Sequence, residues 1–197
     1  MNLISHQTKF LNGEVICPGD KSISQRIVIL GSLLNCDMKV RGFLNADDPN
    51  STLNALNKIG AGIEKQDDKV FLHKRKNSFK SSLEDLDLGN SGTGMRLMMG
   101  LISGLQIKAK LIGDSSLSNR PMLRVIKPLE DMGALIKSNK GKAPIEIQES
   151  SIRDNFVYEM PIASAQVKSS LILASLASNN SITIYEPKVT RNHTERM

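Results

Sequence analysis

A chain of 197 residues with 40% hydrophobic and 23% charged side chains can bury a core, as one large domain or two small ones. Its composition excludes a disordered, collagen-like or coiled-coil protein, and no apolar run reaches the length of a membrane span. The net charge of +6 points to anionic partners, and with only 4% aromatics and no Trp these are expected to be small phosphorylated ligands, not nucleic acid.

In chain order, Gly19-Asp20-Lys21-Ser22-Ile23-Ser24-Gln25-Arg26 is a polar turn running into an apolar helix. Ile23, Ile27, Leu30 and Leu34 stand at helical spacing and predict that helix over 22–34. Asp47-Asp48-Pro49 predicts a second helix with an aspartate cap and proline at its first position, closed by Gly60. Strands follow over 62–65 and 70–73, either side of a polar turn. Lys74-Arg75-Lys76 reads as a solvated turn, as does the group Lys137, Lys140 and Lys142. Gly89-Asn90-Ser91-Gly92-Thr93-Gly94-Met95-Arg96 then opens a helix over 91–105, with a strand over 108–112. Pro121 opens a helix to Met132, and strands are predicted over 134–137 and 145–148. Ala163-Ser164-Ala165-Gln166-Val167-Lys168 starts a third apolar helix over 165–176, and a strand follows over 181–185.

The pattern is a repeat. The segment 19–26 matches 89–96, and Leu56-Asn57-Lys58-Ile59-Gly60-Ala61 matches Leu129-Glu130-Asp131-Met132-Gly133-Ala134, 73 residues on. Such a period is too long for a solenoid and suits a βαβαββ unit. The expected fold is α/β (α+β), with units at about 13–77, 78–148 and 149–197, the last incomplete. The terminus 1–6 lacks a basic flank ahead of an apolar core. The two cysteines, Cys17 and Cys36, are too few for a disulfide framework, so the expected location is the cytoplasm.

Four segments offer chemistry. The turn at 18–26 places Lys21, Ser22 and Arg26 at a helix start, where free N–H groups, the helix dipole and two cations suit a phosphate or carboxylate. It lacks the P-loop pattern, and by itself reads best as a capped helix. The three glycines at 89, 92 and 94 let backbone approach a ligand, or simply make a flexible loop. Arg120, before Pro121, could hold an anion bidentately or be solvated. The run 163–168 is either polar ligation or an ordinary cap. Each is weak alone. In a pseudo-symmetric fold, though, the helix starts meet at one end and form one anionic site.

In this order and spacing the segments PGDKSISQR, LGNSGTGMRLMMG, GDSSLSNRPM, SAQVKS and TRNHTERM resemble the 5-enolpyruvylshikimate-3-phosphate (EPSP) synthases, over about residues 11–197. The resemblance implies transfer of the enolpyruvyl group of phosphoenolpyruvate to the 5-hydroxyl of shikimate 3-phosphate, with release of phosphate, in the shikimate pathway. It implies no metal or organic cofactor, no nucleic-acid or membrane partner, and a monomer when complete. The implied fold is an inside-out α/β barrel domain over 13–197, with 1–12 pairing with a second domain. Ser22, Arg26, Ser164, Ala165, Gln166 and Arg191 would bind shikimate 3-phosphate. Gly92 and Arg120 would line the phosphoenolpyruvate site, which Gln166 also reaches and which glyphosate shares. Lys21 would contact both substrates and is the candidate catalytic group, since Asp47, Asp48 and Asp114 read better as caps. Gln25 stands where the family usually has His, and Leu97 where another branch has Pro. The family continues beyond its HTERM-like segment into a second domain carrying the proton-transfer Asp and Glu. The chain is therefore expected to be a fragment, inactive alone. The alternatives are an inactive shikimate 3-phosphate-binding fragment, a basic nucleic-acid module, or a UDP-sugar enolpyruvyl transferase. The mobile-loop Cys of that last family has no counterpart here.

Overall fold

In the computed structural model, which describes residues 3–197, the first helix, α1 (Lys21–Leu34), starts on Asp20. The Asp20 carboxylate accepts from the Ile23 N–H, satisfying one of the donors that every helix start leaves free. After α1 come β1 (Met38–Val40), α2 (Asp47–Lys58), β2 (Ile63–Gln66) and β3 (Lys69–Leu72). The three strands form an antiparallel sheet in the order β1-β3-β2, with Val70 and Leu72 turned into the core. β1 is additional to the sequence expectation; at three residues it is too short to show an alternation.

Two expectations about the first unit need correcting. Asp47 and Asp48 do not cap α2: Ala46 holds the cap position with no side-chain bond, and Pro49 is the third helical residue. The helix begins two residues early because an acidic first turn complements its dipole. That frees Asp48 to pair with Lys21. The other correction concerns residues 3–20, which form no helix or strand and are almost wholly exposed. The first unit thus reads αβαββ.

The second unit has the whole βαβαββ order. It runs β4 (Leu86–Asp87), α3 (Gly92–Leu105), β5 (Ala109–Ile112), α4 (Ser115–Ser118), α5 (Leu123–Asp131), β6 (Leu135–Asn139) and β7 (Lys142–Gln148). The sheet order is β4-β5-β7-β6, with only β4-β5 parallel. The helix expected from Pro121 to Met132 is α5, which starts two residues late, and the short α4 ahead of Pro121 is additional to the sequence expectation. Proline has no N–H and pushes Arg120 away from helical geometry, so one helix cannot run through. The third unit comprises β8 (Phe156–Glu159), α6 (Ala165–Ser178), β9 (Ile182–Tyr185) and α7 (His193–Arg196), with β8 parallel to β9.

The repeat is physical as well as textual. α1, α3 and α6 each have fourteen residues and a side-chain cap, from Asp20, Ser91 and Ser164. Each ends on a left-handed residue, Asn35, Gln106 or Asn179. Arg26 and Arg96, matched in the repeat, each donate to the carbonyl four residues back, of Ser22 and Gly92.

α3 is the centre of the core. Met95, Leu97, Met98, Met99, Leu101 and Ile102 are all fully buried, as a helix apolar on every side must be. α3 packs along α6 through Gly100 and Gly104, and the Ser170 hydroxyl donates to the Arg96 carbonyl at 2.8 Å. Gln25 joins the helix starts from the other side. Fully buried, its amide nitrogen reaches Thr52 of α2 at 3.0 Å and the Ser91 cap of α3 at 2.7 Å. Arg75 is no solvated turn residue: its guanidinium lies 4.0 Å over the Phe79 ring and donates to the Ser32 carbonyl.

Candidate functional site

These packing choices bring the starts of α1, α3 and α6 together around a cavity of about 550 Å³. α1 gives it Ser22 and Arg26, α3 gives Thr93, and α6 gives Ala165 and Gln166 with the capping Ser164. The segment after β9 completes the wall with Val189, Thr190, Arg191 and His193. Helix starts carry free N–H groups and the positive ends of helix dipoles, so their convergence favours an anion.

Arg26 is only 5% exposed. Its Nε donates to Thr194 Oγ1 at 2.9 Å, and its other nitrogens reach the Ser22 carbonyl and Ser169 Oγ. Burial lowers its pKa, with Glu195 and Asp20 opposing the shift. A guanidinium stays charged through such a change, so the cavity keeps a cation in its wall.

Arg96 links this cavity to a second group. Its Nη1 donates to Gln166 Oε1 at 2.9 Å and to the Gly92 carbonyl at 3.3 Å. Gln166 Nε2 donates to Thr93 Oγ1 at 2.9 Å, so the amide is held at both ends. Burial, and then the neighbouring charges of Arg120 and Arg124, lower the Arg96 pKa. Arg120 bonds Asn90 Oδ1 and stands over Gly92, where an added Cβ would lie 2.8 Å from its Nη1. Asn90 in turn donates to Asp114 at 2.7 Å, and Asp114 caps α4 through the Leu117 N–H at 2.7 Å.

The structure therefore groups the candidates in three places. Ser22, Arg26, Ser164, Ala165, Gln166 and Arg191 line one cavity. Gly92 and Arg120 adjoin it through Arg96 and Gln166. Lys21 is exposed at the start of α1, outside that wall, with its Nζ 3.0 Å from Asp48 Oδ2. Thr93, Val189, Thr190 and His193 were not foreseen, although Thr93 lies inside the glycine-rich loop and the Thr190-Arg191-Asn192-His193 run was visible. Among the described residues there is no cluster of three or more His, Cys, Asp or Glu placed to hold a metal ion, and no helix long and apolar enough to cross a membrane.

Asp114 gives a pH prediction. The Leu117 N–H, then the Asn90 amide, hold its carboxyl below the usual value. A depressed folded pKa stabilises the fold above the unfolded value of about 3.9, and that stability is lost as pH falls through the folded pKa. The melting temperature of Asp114→Asn should lie below that of the parent at pH 7 and approach it near pH 2. A gap that stays constant with pH would exclude the ionised cap.

Comparison with known proteins gives a consistent picture. Residues 5–197 match the family model described as EPSP synthase (3-phosphoshikimate 1-carboxyvinyltransferase). The chain is 45% identical over 195 residues to the 3-phosphoshikimate 1-carboxyvinyltransferase of Vesicomyosocius okutanii, covering 98% of the chain and 45% of the relative. It is 42% identical over 198 residues to the same-named protein of a Thermoanaerobacter species, covering 100% and 47%. An EPSP synthase structure from Acinetobacter baumannii superposes with a TM-score of 0.85 at 39% identity, over 93% of this chain and 42% of that one. The chain thus spans about half the length of the curated relatives it matches.

Proposed function

The chain belongs to the EPSP synthase family, and from that premise we propose that its cavity is the shikimate 3-phosphate site of an enolpyruvyl transfer from phosphoenolpyruvate. One observation carries the proposal: three helix starts converge on a cavity with Arg26 and Arg191 in its wall. The 3-phosphate is a dianion whose oxygens suit these guanidiniums together with the Ser22 and Ser164 hydroxyls. Gln166, oriented by Arg96 and Thr93, lies between this pocket and Gly92, so it can touch both substrates. Phosphoenolpyruvate would take the position beside Gly92, within reach of Arg120.

The reaction needs a proton taken from the 5-hydroxyl and one delivered to the methylene carbon. Among the described residues no Asp or Glu lines the cavity. Lys21, with its ammonium on Asp48, is the residue of this chain we assign to proton transfer. The 197 residues are therefore expected to bind shikimate 3-phosphate and to release no phosphate from the substrate pair above the protein-free blank. Calorimetric titration of the chain with shikimate 3-phosphate, and a phosphate-release assay with both substrates, test these two parts. Arg191→Ala should weaken binding by about 1.5–3 kcal/mol, the range for hydrogen bonds to charged groups, and Lys21→Ala, outside the cavity wall, by less. Equal affinity for shikimate and its 3-phosphate would overturn the assignment. So would salt-sensitive oligonucleotide binding that fills the site.

A further inference from the structure

We propose that Lys168 is a positioning residue for the phosphate end of the cavity, because its one ammonium clamps both ends of the segment that carries Thr190, Arg191 and His193. Lys168 does not line the cavity itself. Its side chain is 9% exposed, and its Nζ stands 2.9 Å from Glu186 Oε1 and 2.7 Å from Glu195 Oε1. Glu186 is the first residue after β9, and Glu195 lies in α7. Every cavity residue of the third unit beyond α6 falls between those two carboxylates.

The segment has little else to shape it. Residues 186–192 form neither helix nor strand. Glu186 also accepts from the Thr190 hydroxyl at 2.7 Å, which ties the clamp directly to a wall residue. At the other end, Thr194 Oγ1 accepts from Arg26 Nε at 2.9 Å and lies 2.7 Å from Ser169 Oγ. Lys168 and Arg26 thus share the carboxylates of this segment, Glu186 and Glu195 on Lys168 and Glu195 near Arg26, which also has Asp20 close by, and Arg26 is itself in the cavity wall. Burial acts against the Lys168 charge, but the hydrogen bonds to Glu195 and Glu186 outweigh it and hold the ammonium above its ordinary pKa.

Lys168 is buried while its two carboxylates keep some contact with solvent, and even a fully buried ion pair is poor evidence for stability, since an apolar residue of similar volume often replaces it without loss. Fixing one arrangement among several is its better-attested use. Here the arrangement fixed is the position of Arg191. The inference rests on the reading that Arg191 meets the phosphate, so the test separates the two. Affinities for shikimate 3-phosphate and for unphosphorylated shikimate would be measured on the 197-residue chain and on four variants. These are Lys168→Met, Lys168→Arg, the charge-neutral triple Lys168→Met/Glu186→Gln/Glu195→Gln, and Arg191→Ala.

Lys168→Met and the triple variant should each lose tenfold or more for the phosphorylated ligand and less than twofold for shikimate, while Lys168→Arg recovers most of the loss. The triple variant carries the test if the single one fails to fold. Loss with Arg191→Ala but none with Lys168→Met overturns the positioning role and leaves the site reading standing. No loss with Arg191→Ala overturns both. An equal loss for the two ligands shows a merely structural lysine and overturns the proposal.

Discussion

Replacing Gly100 with alanine should destabilise the chain by about 3 kcal/mol, at the upper end of the range for overpacking a fitted core. Gly104→Ala should act similarly. In an ordinary helix interior the same change stabilises by about 0.5–1 kcal/mol, because glycine loses more backbone freedom on folding. The sign is reversed here by what the methyl group meets. A Cβ at Gly100 would run into the Ser170 carbonyl, with its carbon at 2.7 Å, and one at Gly104 into that of Ala174, with its carbon at 2.8 Å. Both obstacles are backbone of α6, so neither can turn aside without moving the helix. Gly31 is the internal comparison. Its Cβ would meet side-chain ends alone, Leu72 at 2.9 Å and the Met38 sulfur at 3.4 Å, and Gly31→Ala should cost clearly less. Urea denaturation of the three variants tests the order. Stabilisation by Gly100→Ala would mean that α3 and α6 do not touch along this line. Because α6 also carries Ser164, Ala165 and Gln166, even a tolerated Gly100→Ala should weaken shikimate 3-phosphate binding.

The parts of the fold legible in the sequence were those set by local rules. Polar caps before apolar runs gave α1, α3 and α6 to within two or three residues, and the glycines at 60 and 133 marked both helix ends with positive φ. What escaped was decided by tertiary contact. Leu86–Asp87 is a strand because it lies beside β5, a parallel neighbour far along the chain that no local pattern reveals. The α2 start lies two residues earlier than the proline suggests, and Asp48, inside the first turn instead of capping it, meets Lys21, 27 residues away, a contact no local pattern reveals. Arg75 looked solvated within a basic run, yet Phe79 and the Ser32 carbonyl hold it. The candidate site follows the same division. Ser22, Arg26 and Ser164 to Gln166 sit at helix starts and could be picked out as chemistry. Val189 and His193 join them only because Lys168 and Arg26 hold their segment against α1 and α6, a packing arrangement spread over the whole chain.

Arg120→Ala should weaken binding of phosphoenolpyruvate, titrated into the chain saturated with shikimate 3-phosphate, by about 1.5–3 kcal/mol, or roughly tenfold to a hundredfold. Arg120 anchors on Asn90 and lies beside Arg96, while the neighbouring Asp114 is taken up by Asn90 and the Leu117 N–H. Gly92→Ala should act through the same guanidinium without removing any charge. The new methyl would stand 2.8 Å from Arg120 Nη1 and 3.3 Å from Arg96 Nη1. The Arg120 head is the end of a flexible side chain and can swing away, so folding should hardly change. The displaced cation no longer meets its ligand squarely, and the methyl fills the space beside the glycine. The expected loss is about 1–2 kcal/mol for phosphoenolpyruvate. Glyphosate, the longer anion, should lose more. In the double variant Gly92→Ala/Arg120→Ala the glycine change should cost phosphoenolpyruvate far less than it does alone, because the two act through one contact. Strictly additive losses would place Gly92 and Arg120 in separate sites, and a normal affinity in Arg120→Ala would remove this arginine from the ligand altogether.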